Sequence, residues 1–381
     1  MKTLRNTVRS LIDTIIRCES FFHVTKKKDQ KTRILILRKD GLGDCILFYP
    51  TLRAYRDFYA NAEVTLVLPK WFEPLAHLLD EFNFDNVIWF DHNAFSKSFL
   101  YRRSFLLNLK KQSYDITLYP VFTREPIAET IMRISGAQEI KVKIPDNIES
   151  ELDRDIYFAE QITSKKILIT FPTIATSHLP EGKDAAETLI KKHNLAKKPF
   201  VIIFPGAGAA YRIWPSDRFA SIIDHISEQG FMPVICGSPK EKELAKSIVS
   251  LVRHPASVVN LSGQTDLPTL AHILKCAAFY FGSDTGILHL ATAVGTPAVA
   301  LIGIGGHRRF FPYGDLQKNR AVYDANYMNE HSHSIGNWDD AQKIQAGTIH
   351  PSIQHITTEM AQKEVDYMLH FVNSNTHETH N

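Results

Sequence analysis

Long apolar runs are missing from this 381-residue sequence. No segment reaches the ~18 uninterrupted apolar residues of a membrane-spanning helix. The first residues do not make a secretory signal either: Arg9, Asp13 and Arg17 interrupt the apolar positions, and no small-residue cleavage site follows. Cysteine is scarce. Cys18, Cys45, Cys236 and Cys276 show neither CxxC nor metal-ligand spacing, which excludes a disulfide scaffold and fits free thiols in a reducing compartment. Net charge is scarce too: +3 is too small to argue for a nucleic-acid partner. There is no short repeat, no low-complexity tract and no complete dinucleotide fingerprint. After Gly41 and Gly43 no third glycine follows at the required spacing, so no NAD is implied.

What charge there is lies unevenly. Residues 1–33 hold nine Lys or Arg against three Asp or Glu, leaving 35 against 38 in the rest. Leu4, Val8, Leu11, Ile12, Ile15 and Ile16 fall on one helical face among basic residues. Residues 1–30 therefore read either as a basic amphipathic segment on an anionic membrane surface or as a leading helix packed on the protein.

From Thr32 the chain alternates strand and helix. Strands are expected at Arg33–Leu37, Glu63–Leu68, Asn86–Phe90, Asp115–Tyr119, Ile140–Ile144 and Lys166–Phe171. The intervening helices are expected near Ile46–Phe58, Trp71–Glu81, Ser96–Gln112 and Glu125–Ser135. A lysine-rich polar stretch, residues 179–199, reads as a boundary. A second series follows: strands Phe200–Phe204, Phe231–Cys236, Ser257–Leu261, Phe279–Phe281 and Pro297–Ile302, with helices Ser216–Gln229, Lys240–Val252, Asp266–Lys275 and Ile287–Val294. This is an α/β chain of two doubly wound, mainly parallel domains, with boundaries expected at 31–195 and 196–350. Residues 324–352 are rich in His, Asn and Asp and read as a loop; His331, His333 and His350 lack the partners of a metal site. Pro351–Val372 regains helical spacing and is expected to pack back across the domain junction. Asn373–Asn381 is polar and expected to fray.

Four clusters could carry chemistry. Gly282-Ser283-Asp284-Thr285-Gly286 turns a strand into a helix, where backbone N–H groups and the helix dipole suit an anion; a plain helix cap by Asp284 or Thr285 is the alternative. Arg38-Lys39-Asp40-Gly41-Leu42-Gly43-Asp44 brings Asp44 to a helix start, as a cap or as a carboxylate able to take a hydroxyl proton. Phe204 to Pro215 holds Gly206, Gly208 and Arg212, a glycine loop with a guanidinium that can pair with phosphate. Gly237 to Glu243 places Glu241 beyond a strand end, either on ribose hydroxyls or as a charged first turn.

Taken together, ILILR…LGD…PTLR (34–53), PGA…RIWP…RF (205–219), GSP.E (237–241), LSGQT (261–265), GSDTG..HLA…GTP (282–297) and RR..PYG (308–314) resemble glycosyltransferase family 9, the ADP-heptose:lipopolysaccharide heptosyltransferases. The resemblance covers about residues 32–315. It implies a GT-B architecture of two facing Rossmann-like domains, and an inverting, metal-independent transfer to a lipopolysaccharide-core or other lipid-linked glycan acceptor. It implies no cofactor beyond a nucleotide-sugar donor, ADP-heptose, and a cytoplasmic enzyme, peripheral on the inner membrane if residues 1–30 bind it. Asp44 matches the family's base. Arg212, Glu241, Asp284, Thr285, Gly286 and His289 match its donor side, Gly206 and Gly208 are donor-binding candidates in the loop before Arg212, and Arg38, Lys39 and Gly43 are acceptor-side candidates. Ala207 and Gly208 depart from the hydroxyl residues of some members, and the cysteine-rich tail of some relatives is absent. A same-fold enzyme on another nucleotide sugar, and a non-catalytic nucleotide-binding protein, are the competing readings.

Overall fold

A computed structural model describes residues 31–121, 125–169, 171–332 and 348–378. The basic segment 1–30 and His333 lie outside the described residues. In chain order the first elements are β1 (Arg33–Leu37), α1 (Leu42–Phe48), α2 (Leu52–Phe58), β2 (Glu63–Pro69), β3 (Asn86–Phe90), α3 (His92–Lys97), α4 (Phe99–Lys111), β4 (Ile116–Leu118), α5 (Pro126–Ser135), β5 (Gln138–Ile140) and α6 (Glu151–Thr163). There follow α7 (Pro180–Lys192), β6 (Phe200–Phe204), α8 (Ser216–Glu228), β7 (Met232–Ile235), α9 (Lys242–Leu251), β8 (Val259–Asn260), α10 (Leu267–Cys276), β9 (Phe279–Ser283), α11 (Gly286–Ala293), β10 (Ala298–Leu301), β11 (Asn319–Val322), α12 (Ala325–Glu330), α13 (Pro351–Gln354) and α14 (Thr358–Glu378).

The chain folds as two compact units, and each is interleaved in sequence. The first takes residues up to Gly41, Thr51–Asp146 and Arg154–Ile167; the second takes Leu42–Pro50, Asn147–Asp153 and everything from Leu168. The short helix α1 is thus built into the second unit although it follows β1 in the chain.

The first unit holds a five-stranded sheet, ordered β3-β2-β1-β4-β5, with every pair parallel. β1 has no polar position after Arg33, as a strand covered on both faces requires. Leu35 and Leu37 pack with Val67, Phe90, Phe105, Leu109 and Ile131 on one side. Beyond the end of β1, Arg38 is fully buried. Its Nη1 donates to Pro120 O at 2.5 Å and to Asp155 Oδ1 on α6 at 2.6 Å.

The second unit holds a six-stranded parallel sheet, ordered β11-β10-β9-β6-β7-β8. Its core joins Val201, Ile203, Phe279, Phe281, Val299 and Leu301 to Trp214 and Phe219 from the loop and helix after β6. Trp214 donates its Nε1–H to Ile356 O at 2.8 Å. Val365, Met368 and Leu369 of α14 complete the same core, and α14 lies against α8, β9, β10 and β11.

Several elements differ from the expectation. Pro50 splits the first helix into α1 and α2 around a 3-10 turn. Ser98 divides the long helix, its hydroxyl capping α4 by accepting from Tyr101 N at 3.3 Å. Residues 70–82 wind as 3-10 turns broken at Leu75, because Pro74 removes a donor there. Lys166–Phe171 is not a strand among its described residues: they belong to neither sheet, and Leu168 is 83% exposed. Ile140–Ile144 is replaced by β5, three residues ending at Ile140. The polar stretch after Leu179 forms α7, with Gly182 so close to Pro268 of α10 that a side chain would overlap its backbone. α6 has no counterpart among the expected elements, and α14 continues to Glu378 through residues expected to fray. Among the described residues no helix is long and apolar enough to cross a membrane.

Candidate active site

The strand order of the second sheet reverses between β6 and β9, both of which pair with each other at the middle of the sheet. Ligands of open α/β sheets bind beyond the carboxyl ends of the strands at such a point. The loop after β6 carries Arg212 and the turn after β9 carries Asp284. Arg212 Nη2 donates to the Asp284 carbonyl at 2.5 Å and lies 3.5 Å from Asp284 Oδ2. Asp284 is 5% exposed. Burial raises its carboxyl pKa and the Arg212 guanidinium opposes the shift. Gly306 presses on the same carboxylate, for a Cβ there would overlap Asp284 Oδ2.

Helix α11 begins directly after this turn. Thr285, not Asp284, is its cap: the Thr285 hydroxyl accepts from Ile287 N at 3.3 Å. Asp284 is left for Arg212 and for His289, whose Nε2 lies 3.9 Å from Asp284 Oδ1. The His289 imidazole is buried, which drives its pKa down to about 3, with the positive charge of Arg212 adding to the shift. It is therefore neutral near pH 7. Its Nδ1 meets Tyr313 OH at 2.9 Å, and Tyr313 OH meets Thr292 Oγ1 at 2.7 Å.

Two glycines let α1 reach this helix. A Cβ at Gly43 would stand 2.5 Å from His289 Cδ2, and one at Gly286 would overlap Leu42 and sit 2.9 Å from Gly43 N. The first turns of α1 and α11 are thus in van der Waals contact within one unit. Asp44, in the first turn of α1, follows the residue that touches His289.

Glu241 lies beyond β7. Its Oε2 accepts from Ser238 N at 2.6 Å in a capping box. Gly206 faces the same carboxylate so closely that a Cβ would overlap Oε1. Gly237 flanks it, and a Cβ there would lie 3.5 Å from Ser262 Oγ, a buried hydroxyl without a hydrogen-bond partner. Gly208 faces open space.

Of the expected site residues, the second unit brings together Gly43, Asp44, Arg212, Asp284, Thr285, Gly286 and His289, with Gly206 and Glu241 on the neighbouring strand ends. Arg38 and Lys39 belong to the first unit. Arg38 is a buried tie to Asp155 rather than a cation open to an acceptor, and Lys39 Nζ is paired with Glu125. Thr292, Gly306 and Tyr313 join the site without being among the residues the sequence singles out. Only the PYG sequence around Tyr313 hinted at it. Among the described residues, no group of three or more His, Cys, Asp or Glu is placed to hold a metal ion.

The family model described as glycosyltransferase family 9 (heptosyltransferase) matches residues 145–336, half of the chain. The chain belongs to glycosyltransferase family 9. A lipooligosaccharide heptosyltransferase 2 of Haemophilus ducreyi is 23% identical to this family 9 enzyme over 293 residues, covering 71% of this chain and 83% of the relative. A solved family 9 glycosyl transferase from Veillonella parvula has a TM-score of 0.66 at 18% identity, covering 90% of this chain and 98% of its own. An E. coli structure described as ADP-heptose lps heptosyltransferase II has a TM-score of 0.64 at 18% identity, covering 89% and 98%. The likeness makes the fold GT-B, two Rossmann-like units with parallel sheets. As a member of this family the protein is a glycosyltransferase.

Proposed function

We propose that this enzyme transfers a heptose from ADP-heptose to a lipopolysaccharide-core acceptor, with inversion at the anomeric carbon and without a metal ion. A heptose and a lipooligosaccharide or lipopolysaccharide are named for its relatives, one of them described as a lipopolysaccharide core heptosyltransferase, and ADP-heptose stands in the description of the E. coli structure. The observation that carries the reading is the contact of Gly43 with His289, which brings the helix of Asp44 against the helix that follows Asp284.

Asp44 takes the proton of the acceptor hydroxyl as its oxygen attacks the anomeric carbon. The bond from that carbon to the diphosphate breaks on the opposite face, and ADP leaves with the bonding pair. The charge that gathers on the diphosphate is met by the Arg212 guanidinium and the N-terminus of α11. One preorganised donor at such a place is worth roughly 2.7–4 kcal/mol. Glu241 accepts hydrogen bonds donated by the ribose hydroxyls.

Asp44→Asn is expected to lower kcat by at least ~10²-fold while ADP-heptose still binds by calorimetry. Near-normal turnover by that variant would remove Asp44 as the base. A β-linked substrate giving a β-linked product would remove inversion, and loss of turnover in EDTA, restored by a divalent cation, would remove metal independence. Residues 1–30 would hold the enzyme on an anionic membrane surface. Equal sedimentation with anionic vesicles of the full chain and of a chain lacking them would refute that role.

A further inference from the structure

His289, Tyr313 and Thr292 form a closed proton inventory. Three contacts need a hydrogen: Thr292 Oγ1 to His289 O at 3.0 Å, Tyr313 OH with Thr292 Oγ1 at 2.7 Å, and His289 Nδ1 with Tyr313 OH at 2.9 Å. Each hydroxyl has one hydrogen to give. If Thr292 donates to the His289 carbonyl, Tyr313 must donate to Thr292, and Tyr313 can then only accept from His289 Nδ1–H. All three bonds are made. In the opposite sense Thr292 donates to Tyr313 and Tyr313 to a bare Nδ1, and the His289 carbonyl contact is lost. In a buried site the arrangement that makes every bond prevails.

We infer that Thr292 and Tyr313 hold His289 as the Nδ1–H tautomer, so that Nε2 is a hydrogen-bond acceptor and takes a hydroxyl of the transferred sugar rather than donating to the diphosphate. Nε2 has no hydrogen-bond partner among the described residues. Its neighbours are Asp284 Oδ1 at 3.9 Å and the Cα side of Gly43. A bare nitrogen and a carboxylate oxygen face the same spot, and two acceptors suit a hydroxyl or a pair of hydroxyls. Neither can donate to a phosphate oxygen, a task left to Arg212, which borders the same carboxylate. Thr292 and Tyr313 act through the imidazole and are positioning residues. The sugar as ligand rests on the proposed transfer of a heptose; the tautomer does not.

The test uses the full chain labelled with 15N-histidine, with His289 assigned by its disappearance in His289→Gln. Long-range 1H–15N correlation is expected to show a protonated Nδ1 and a bare Nε2. In Thr292→Val, Tyr313 is released to donate to Nδ1, and the pattern inverts to Nε2–H; Thr292→Ser keeps the wild-type pattern. Binding is measured in parallel. Thr292→Val is expected to weaken ADP-heptose by about tenfold, the worth of one hydrogen bond, and to leave ADP within about twofold. An Nε2–H wild type, or a tautomer indifferent to Thr292→Val, overturns the relay. An intact relay with equal losses for ADP and ADP-heptose overturns the sugar contact. No ADP-heptose binding by wild type with the expected tautomer overturns the sugar contact and the donor reading, and leaves the relay standing.

Discussion

Gly43 abuts the imidazole of His289, with room for a hydrogen and none for a methyl group: a Cβ there would stand 2.5 Å from His289 Cδ2. Gly43→Ala must therefore move the ring, α1, or both. Overpacking of this kind costs ~1–3 kcal/mol. The expected outcome is a lowered melting temperature and a fall in kcat/KM of tenfold or more, read by thermal melts and initial rates. Ala substitution at the open Gly208 is the control, expected to change the melting temperature little.

Gly206 makes the same kind of approach to Glu241. Gly206→Ala drives a methyl into the carboxylate that Ser238 N also holds. The carboxylate has to swing away, so donor KM is expected to rise with kcat little changed. Steady-state kinetics with the nucleotide sugar varied decides it; a kcat effect without a KM effect would detach Glu241 from the donor.

Acid stability is expected to depend on His289. Its folded pKa is about 3 against an ordinary value of 6.5, so the unfolded chain binds the proton first. The stabilisation is present above 6.5 and is lost as pH falls toward 3, a span worth roughly 4–5 kcal/mol. Asp284 has the opposite sign. Its raised pKa favours the protonated acid in the fold, so its contribution fades as pH rises through that value. Denaturant melts between pH 7 and 4 are expected to show a shallower loss for His289→Gln than for wild type.

Trp214 is fully buried between Phe219 and Phe281, and its indole N–H reaches the segment that leads into α14. Trp214→Ala is expected to cost ~3–5 kcal/mol. Trp214→Phe keeps most of the packing but leaves the Ile356 carbonyl short of its donor, costing ~1–3 kcal/mol. Chemical denaturation of the three proteins gives the ranking.

Where the chain spells its elements in apolar runs ended by glycine or proline, it is readable. β1, β6 and β9 are of this kind, and their strand ends lead to Asp44, Arg212 and Asp284. The charged helix α7 is not readable as such, because PEGKDAAETLIKK offers few apolar positions to phase; α6 does carry Leu152, Ile156 and Ala159 at helical spacing, broken up by Asp153, Arg154 and Asp155. Lys166–Phe171 failed the other way: an apolar run is a strand only if a sheet edge meets it. The relay from Thr292 through Tyr313 to His289 was hidden because Tyr313 arrives from 24 residues downstream. Its hydroxyl has no sequence neighbour that announces the role. Which residue caps α11 was likewise undecidable from adjacent Asp284 and Thr285, and geometry chose the threonine.

The membership of Leu42–Pro50 in the second unit bears on how the polypeptide is made. These residues leave the ribosome some 240 residues before the helix they pack on, Gly286–Ala293. The second unit cannot finish folding co-translationally by itself from its own contiguous stretch. A gene fragment starting after Ile167 would encode its whole sheet and still lack one wall of the site, leaving Gly286 and His289 facing solvent where a second helix belongs.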